Sequence, residues 1–185
     1  MGAKIKVIMD CDPGIDDGIA LAYAAAHQDE LDLLAVTTSA GSTRIERVTK
    51  NALELVDFYG LKVPVAGGQD RPLVKAAIYA EEFHGETGLG HCVLPEAKSE
   101  AASDNAVLFI RDILNAMPEG EQVVMIETAP MTNLALLLKV FPEIKNKIRK
   151  IVFTGGAAKG GNISPAAEFN IYADPEAAEI GRAHV

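Results

Sequence analysis

The sequence predicts an open α/β fold: a mostly parallel, doubly wound sheet with helices on both faces. Three observations lead there. Short continuous apolar runs, the mark of strands buried on both faces, recur through the 185 residues. Segments with apolar residues at three- and four-residue steps lie between them. The two kinds of segment alternate, which implies βαβ units. With no internal repeat, linker or break in composition, residues 1–185 read as one domain.

Ile5 to Met9 reads as a buried strand, because the run is continuous rather than alternating. An acidic turn follows, and Ile19, Leu21, Ala22 and Ala25 then suit the buried side of a helix. Leu31 to Thr38 is a second strand. Ile45, Val48, Ala52, Val56 and Tyr59 mark a second helix, with Gly60 as its stop. Val63 to Ala66 is a short third strand closed by Gly67-Gly68. Residues 69–102 are polar and glycine-rich, an irregular stretch of the length that carries function, with some helix expected around Ala76 to Phe83. Ser103 is expected to cap a helix carrying Ala106, Val107, Ile110, Ile113 and Leu114, ended by Pro118-Glu119-Gly120. Gln122 to Ile126 is a strand, Leu134 to Val140 a helix opened by Thr132-Asn133, and Lys150 to Phe153 the last clear strand. A glycine-rich loop runs from Gly155 to Asn162. Asp174 then caps a final helix with Pro175 at its first position.

Composition removes several classes of function. The formal net charge of −9 leaves no basic stripe for nucleic acid or an anionic membrane surface. Trp is absent and aromatics make up only 5%, so a stacking platform for single strands is not expected. No run of about 18 residues is apolar and uncharged, so no membrane span is expected. The N-terminus goes straight into strand-like sequence without the order of a signal peptide. Two cysteines, Cys11 and Cys92, make no disulfide framework, and a reducing, cytoplasmic location is expected.

The chemistry concentrates where the first strand ends. Asp10, Asp12, Asp16 and Asp17 pack four carboxylates into eight positions around Pro13-Gly14. Capping a helix needs one or two acids rather than four. Acids so crowded repel one another unless something cationic or proton-bearing sits among them. A hard divalent cation with oxygen ligands answers that need, and it makes a bound water easier to deprotonate by a nearby carboxylate. Thr37 to Ser42, Thr128 to Asn133 and Thr154 to Asn170 also follow apolar strands and can converge on the same edge. Their hydroxyls, amides and the carboxylate of Glu168 suit a polyhydroxylated ligand such as a sugar. Taken singly, Asn133 or Ser42 reads better as a turn residue satisfying local backbone. Cys11, set between carboxylates, is expected to have a raised pKa and to be inert. His27 and His184 read as surface and tail residues, and His91 as a loop residue.

These residues closely resemble a known signature. Asp10-Cys11-Asp12-Pro13-Gly14-Ile15-Asp16-Asp17 is similar to the N-terminal motif of the nucleoside hydrolases, the inosine-uridine-preferring ribohydrolase family. Thr37-Thr38 with Gly41, His84-Gly85-Glu86-Thr87-Gly88, Pro130-Met131-Thr132-Asn133-Leu134, Gly155-Gly156 and Asn162 through Glu168-Phe169-Asn170 to Ala178 match in the same order, to about Ile180. The resemblance implies an open α/β fold that holds Ca2+ and hydrolyses the N-glycosidic bond of ribonucleosides to ribose and free base. That is a part in nucleoside metabolism and in purine and pyrimidine salvage. It implies that Asp12 ligates the ion and deprotonates the attacking water bound to it, that Asp17 is a second ligand, and that Thr128 adds its backbone carbonyl. Asp16 and Asn170 match positions at the ribose 2′- and 3′-hydroxyls, Asn162 and Glu168 positions at the 5′-hydroxyl, and His84 a position near the base. Ser42 falls at a further ribose position, and Asp10 stands behind the ligands as support. Family members are commonly dimers or tetramers, so a homo-oligomer is a possible assembly.

Departures from the pattern matter too. Ser42 stands where the family usually has Asn, and is expected to lose a hydrogen bond to ribose or to a neighbouring carboxylate. Glu127 and Ala129 replace the Pro and Gly that commonly flank the Thr, and are expected to shift the Thr128 carbonyl. The chain stops at Val185 with its last helix barely begun, and Gly181 to Val185 do not continue an amphipathic pattern, so the sequence reads as C-terminally shortened. The family's further ligating Asp and base-assisting His are then missing, and a non-catalytic form that binds metal or ribose is an alternative. Asp10-Cys11-Asp12 also has the spacing of a Mg2+-dependent phosphohydrolase, but no Thr or Ser follows at the usual place and no paired Lys is evident. The expected outcome in a base-release assay is weak or absent turnover of inosine or uridine by the purified 185-residue chain, and normal turnover refutes it.

Overall fold

The computed structural model describes residues 3–182. Ala183, His184 and Val185 lie outside the described residues, and with them the expectation of a tail histidine. Five strands, β1 (Ile5–Cys11), β2 (Leu31–Thr38), β3 (Val65–Gly67), β4 (Val123–Glu127) and β5 (Ile148–Phe153), form one sheet in the order β3-β2-β1-β4-β5. Every pairing is parallel. The helices are α1 (Ile15–Ala26), α2 (Ile45–Phe58), α3 (Glu81–His84), α4 (Ala106–Ala116), α5 (Thr132–Val140), α6 (Phe169–Ala173) and α7 (Pro175–Arg182), with a 3-10 turn over Pro142–Lys147. This is the doubly wound architecture that the alternating pattern predicts. Among the described residues, no helix is long and apolar enough to cross a membrane.

Adjacent residues of β1 face opposite sides of the sheet, and each side has its own core. Ile8 packs with Val107, Ile110 and Leu114 of α4 and with Leu134 and Leu137 of α5. Met9 packs with Leu21 of α1 and with Ala52, Leu55 and Val56 of α2. A continuous apolar run is thus what a strand covered on both faces requires.

Several local expectations are corrected. The buried face of α1 is Asp17, Gly18, Leu21 and Ala24, whereas Ile19 is 68% exposed and Ala22 and Ala25 are half-buried. The carboxylate of Asp17, turned inward to the end of β1, sets the rotation of this helix and turns Ile19 out. The cap of α4 is Asn105, whose side chain accepts from Leu108 N at 3.1 Å. Ser103 instead accepts from Asn105 N one step earlier. Of the helix expected around Ala76 to Phe83, only the single turn of α3 forms. Gly181 does continue α7, on its buried side. Asp174 caps α7 as expected, accepting from Ala177 N at 3.0 Å.

The irregular stretch is pinned from several sides. Asp57 accepts from Ser99 N, Asn51 donates to Thr87 O, and Ala80 N donates to the carbonyls of Gly41 and Ser42. Asp174, fully buried, accepts from Leu73 N and from the Thr132 hydroxyl. These ties bring α3 and its loop over the end of β1.

The two faces of α1 and α4 yield a direct comparison in urea. Leu114→Ala, opening a cavity under β1, is expected to cost about 2–5 kcal/mol. Ile19→Ala is expected to stay within about 0.5 kcal/mol.

Candidate active site

Parallel strands end together, so the loops after β1, β2, β4 and β5 share one edge. Asp10 lies opposite Thr37 on one side and Glu127 on the other, and Glu127 lies opposite Phe153. The chain order reverses at β1, which is where an open α/β sheet leaves a crevice. Four elements thereby deliver Asp12, Ser42, Thr128 and Thr154 to neighbouring places.

Asp12 and Asp17 are both buried and joined, with Asp12 N donating to Asp17 Oδ2 at 2.9 Å. Ser42 holds Asp12 from behind: its N–H donates to Asp12 Oδ2 and its hydroxyl to Asp12 O. Gly41 is required there, since a Cβ would fall on Asp12 Oδ2 and against Pro130. Burial, then the charge of Asp17, pushes the Asp12 carboxyl well above its usual range, against the pull of the Ser42 N–H. Burial, then the charge of Asp16, pushes Asp17 up to about 6, against the Thr128 hydroxyl and the Asp12 N–H. Among the described residues, no Lys, Arg or His forms an ion pair with either acid. Two buried, uncompensated carboxylates with the Thr128 carbonyl close by make a hard oxygen donor set that fits Ca2+. No group of three or more His, Cys, Asp or Glu is arranged around a metal position among the described residues, so the remaining oxygens of a shell of about six to eight fall to other donors.

The acids open on a cavity of about 410 Å3. Asp12, Asp16, His84, Thr128, Asn162, Glu168 and Asn170 give its polar lining, and Ala80, Phe83, Ile163 and Phe169 its apolar walls. Asn170 crosses to two strand ends, its amide donating to Thr128 O at 2.8 Å and Thr154 O at 3.1 Å. Glu168 caps α6, accepting from Asn170 N and Ile171 N, and Asn162 Oδ1 accepts from Phe169 N. His84 Nδ1 accepts from Ile15 N at 3.3 Å and stands 4.0 Å from Asp16. Most residues singled out from sequence are therefore gathered at one cavity. Ser42, Asp17 and Asp10 do not line it: Ser42 lies behind Asp12 with both hydrogen bonds spent on it, and Asp17 and Asp10 are buried. The carboxylate contact expected to be lost at that position is instead made by the Ser42 backbone. Cys11 is buried, and burial followed by the Asp17 charge pushes its thiol well up, which agrees with an inert group.

Sequence reasoning missed three residues. Asn133, set down as a turn residue, is fully buried and donates to Asp10 at 2.9 Å. Asn51 joins the acidic turn to the His84 loop, donating to Pro13 O and Thr87 O. Glu127 is fully buried beside Asp10, and no donor reaches either of its oxygens. Burial, then the Asp10 charge, pushes its carboxyl well above the usual range. The available signal was a carboxylate within an apolar strand run.

Fold and site together define a doubly wound α/β protein with an acidic, cation-fitting pocket at its strand ends. The model of the inosine-uridine preferring nucleoside hydrolases matches residues 7–181, and the chain belongs to that family. It is 49% identical over 175 residues to the pyrimidine-specific ribonucleoside hydrolase RihA of Photobacterium profundum, covering 94% of this chain and 56% of that protein. It is 45% identical to the non-specific ribonucleoside hydrolase RihC of Escherichia fergusonii, covering 95% and 57%. The purine-preferring ribonucleoside hydrolase from Gardnerella vaginalis superposes with a TM-score of 0.87 at 36% identity, over 95% of this chain and 56% of that one. The chain thus spans a little over half the length of the relatives it matches.

Asp17 sets a pH dependence in the cation-free protein. Its folded pKa of about 6 lies above the ordinary 3.8, so the stability it contributes is full below about 3.8 and is lost as pH rises through about 6. In chelator, the melting temperature of the wild type minus that of Asp17→Asn is expected to fall between about pH 4 and 7, and added Ca2+ is expected to flatten that fall. A difference that rises with pH in chelator contradicts the assignment.

Proposed function

We propose that this chain carries the cation and ribose side of a ribonucleoside hydrolase site, serving Ca2+-dependent hydrolysis of the N-glycosidic bond to ribose and free base. The observation that carries the reading is the buried, uncompensated Asp12–Asp17 pair, of which Asp12 lines the cavity. Asp12, Asp17 and the Thr128 carbonyl would hold the ion. Bound there, Ca2+ supplies a Lewis acid that grips sugar hydroxyls and acidifies water.

The chain's own residues do the rest. Asp12, which lines the cavity, accepts the proton of the attacking water, the role of a general base. Asp16 and Asn170, both lining the cavity, orient the ribose 2′- and 3′-hydroxyls. Glu168 and the amide N–H2 of Asn162 take the 5′-hydroxyl end. As the bond to the base stretches, positive charge develops on the ribose ring, and the carboxylates of Asp16 and Glu168 on the cavity wall stabilise it. Phe83 and His84 flank the place left for the base, with Ala80 and Ile163 excluding water nearby. Asp10, below the pair, supports the end of β1. The relatives differ in their named base preference, so the substrate class is the ribonucleosides as a whole. The two free thiols suit the reducing cytoplasm as the place of action.

A second reading is a form of the fold that binds cation or ribose without turnover. It is favoured by the lack, among the described residues, of a group of three or more His, Cys, Asp or Glu arranged to hold a metal ion.

Base release from uridine and inosine, measured with Ca2+ and with chelator, separates the two. Slow release that needs Ca2+, and that falls about 100-fold or more in Asp12→Asn, is the expected result. Release indifferent to chelation or to Asp12→Asn overturns the mechanism. Ca2+ binding by calorimetry without any release selects the second reading. Release of phosphate from an aryl phosphate, without release of base, selects a Mg2+ phosphohydrolase.

A further inference from the structure

Asn133 begins at the N-terminal turn of α5, yet its side chain serves none of that helix's own N–H groups. It is fully buried and reaches three other segments. Its amide N–H2 donates to Asp10 Oδ1 on β1 at 2.9 Å and to Thr38 O on β2 at 2.9 Å, with Ser39 Oγ at 3.3 Å. Its Oδ1 accepts from Gln69 N, just past β3, at 3.1 Å. One side chain carried on the segment after β4 therefore binds the ends of the three strands beside it. Gly68 leaves room for this, since a Cβ there would overlap the Asn133 amide.

Asp10 passes the arrangement upward. Its carboxylate also accepts from the Thr37 hydroxyl at 2.6 Å, and its backbone carbonyl accepts from Thr128 N at 2.9 Å. Two residues beyond it comes Asp12, held by Ser42 of the loop after β2. The cavity-facing oxygens of Asp12 and Thr128 thus stand on the loops after β1 and β4, and these loops, with the loop after β2 that holds Asp12, are tied beneath by the Asn133–Asp10 pair. Asn133 does not line the cavity.

We propose that Asn133 is a positioning residue: its amide, acting through Asp10 and the strand ends, sets the spacing of the Asp12, Asp17 and Thr128 oxygens that take the cation. The inference rests on the cation site proposed above. An amide suits this place because it both donates to a buried carboxylate and accepts from a backbone N–H, whereas Asp, Ser or Leu lacks one of the two capacities or the reach. A buried carboxylate deprived of a donor shifts toward the partners it keeps, and the loops standing on it lose their register.

The test uses the whole chain, with Ca2+ titrated by calorimetry well below the melting temperature, and backbone amide exchange followed without cation. Asn133→Ala is expected to weaken Ca2+ roughly 10- to 100-fold. Exchange should quicken at Ser42, Gln69 and Thr128 while Ile110 and Leu114 of α4 keep wild-type rates. Thr37→Val, close in shape, removes another donor to the same Asp10 oxygen and should weaken Ca2+ in the same direction even if Asn133→Ala fails to fold. Unchanged Ca2+ affinity in Asn133→Ala or in Thr37→Val overturns the proposal. So does a uniform loss of protection that includes α4, which marks a merely structural role. If the wild type binds no Ca2+, the cation reading falls by itself, and exchange at Ser42 alone then decides: protection unchanged in Asn133→Ala overturns the positioning role.

Discussion

Two carboxylates are held together in a nearly dry place at the end of β1, and the structure around them is arranged to tolerate it. Asp12 and Asp17 are buried, share a backbone hydrogen bond and meet no cationic side chain. Charges in such surroundings are unstable without a counterion, and both groups shift toward the protonated form. The Ser42 N–H, the Thr128 hydroxyl and the helix start at Asp17 lessen the strain without removing it. A divalent cation removes it, which is why an acid cluster that destabilises the fold by itself is a sound place for one.

The parallel sheet makes this crowding possible. Strands that run the same way deliver their C-terminal loops to one edge, and the reversal of order at β1 separates the connections to either side. Loops from β1, β2 and β4 can then approach closely, as the Gly41 contact with Asp12 shows. Beneath them lies a second polar layer of Asp10, Thr37, Ser39, Asn133 and Glu127, all buried. Polar groups so deep need partners, and all but Glu127 find them in one another.

Much of this was legible in the residues. The strands announced themselves because β1, β2, β4 and β5 are covered on both faces or at an edge and carry continuous apolar runs. The amphipathic stripe of α2 gave its extent to within a residue. Asp12, Asp16, Asn162, Glu168 and Asn170 follow strands and match a family pattern in order, and these five line one cavity. Less legible was what each polar group bonds to. Asn162 and Glu168 spend part of their capacity capping α6, a five-residue helix with no periodicity to reveal it. Ile19 was taken as buried because apolar spacing alone cannot tell which side of α1 an inward-facing acid selects. Ser103 and Asn105 are both good caps by type, and only the backbone geometry chose between them.

By itself, then, the order of residues determined the alternation of strand and helix, the parallel sheet that follows from it, and the acidic character of the edge. These depend on local pattern and on the limited ways βαβ units can connect. Tertiary structure alone decided that Ser42 turns to Asp12 rather than to the cavity, that Glu127 faces Asp10, and that Asn133 joins three strand ends. Each of those contacts links residues from about 30 to more than 100 positions apart, and a hydrogen bond over such a separation depends on packing that no short window of sequence contains.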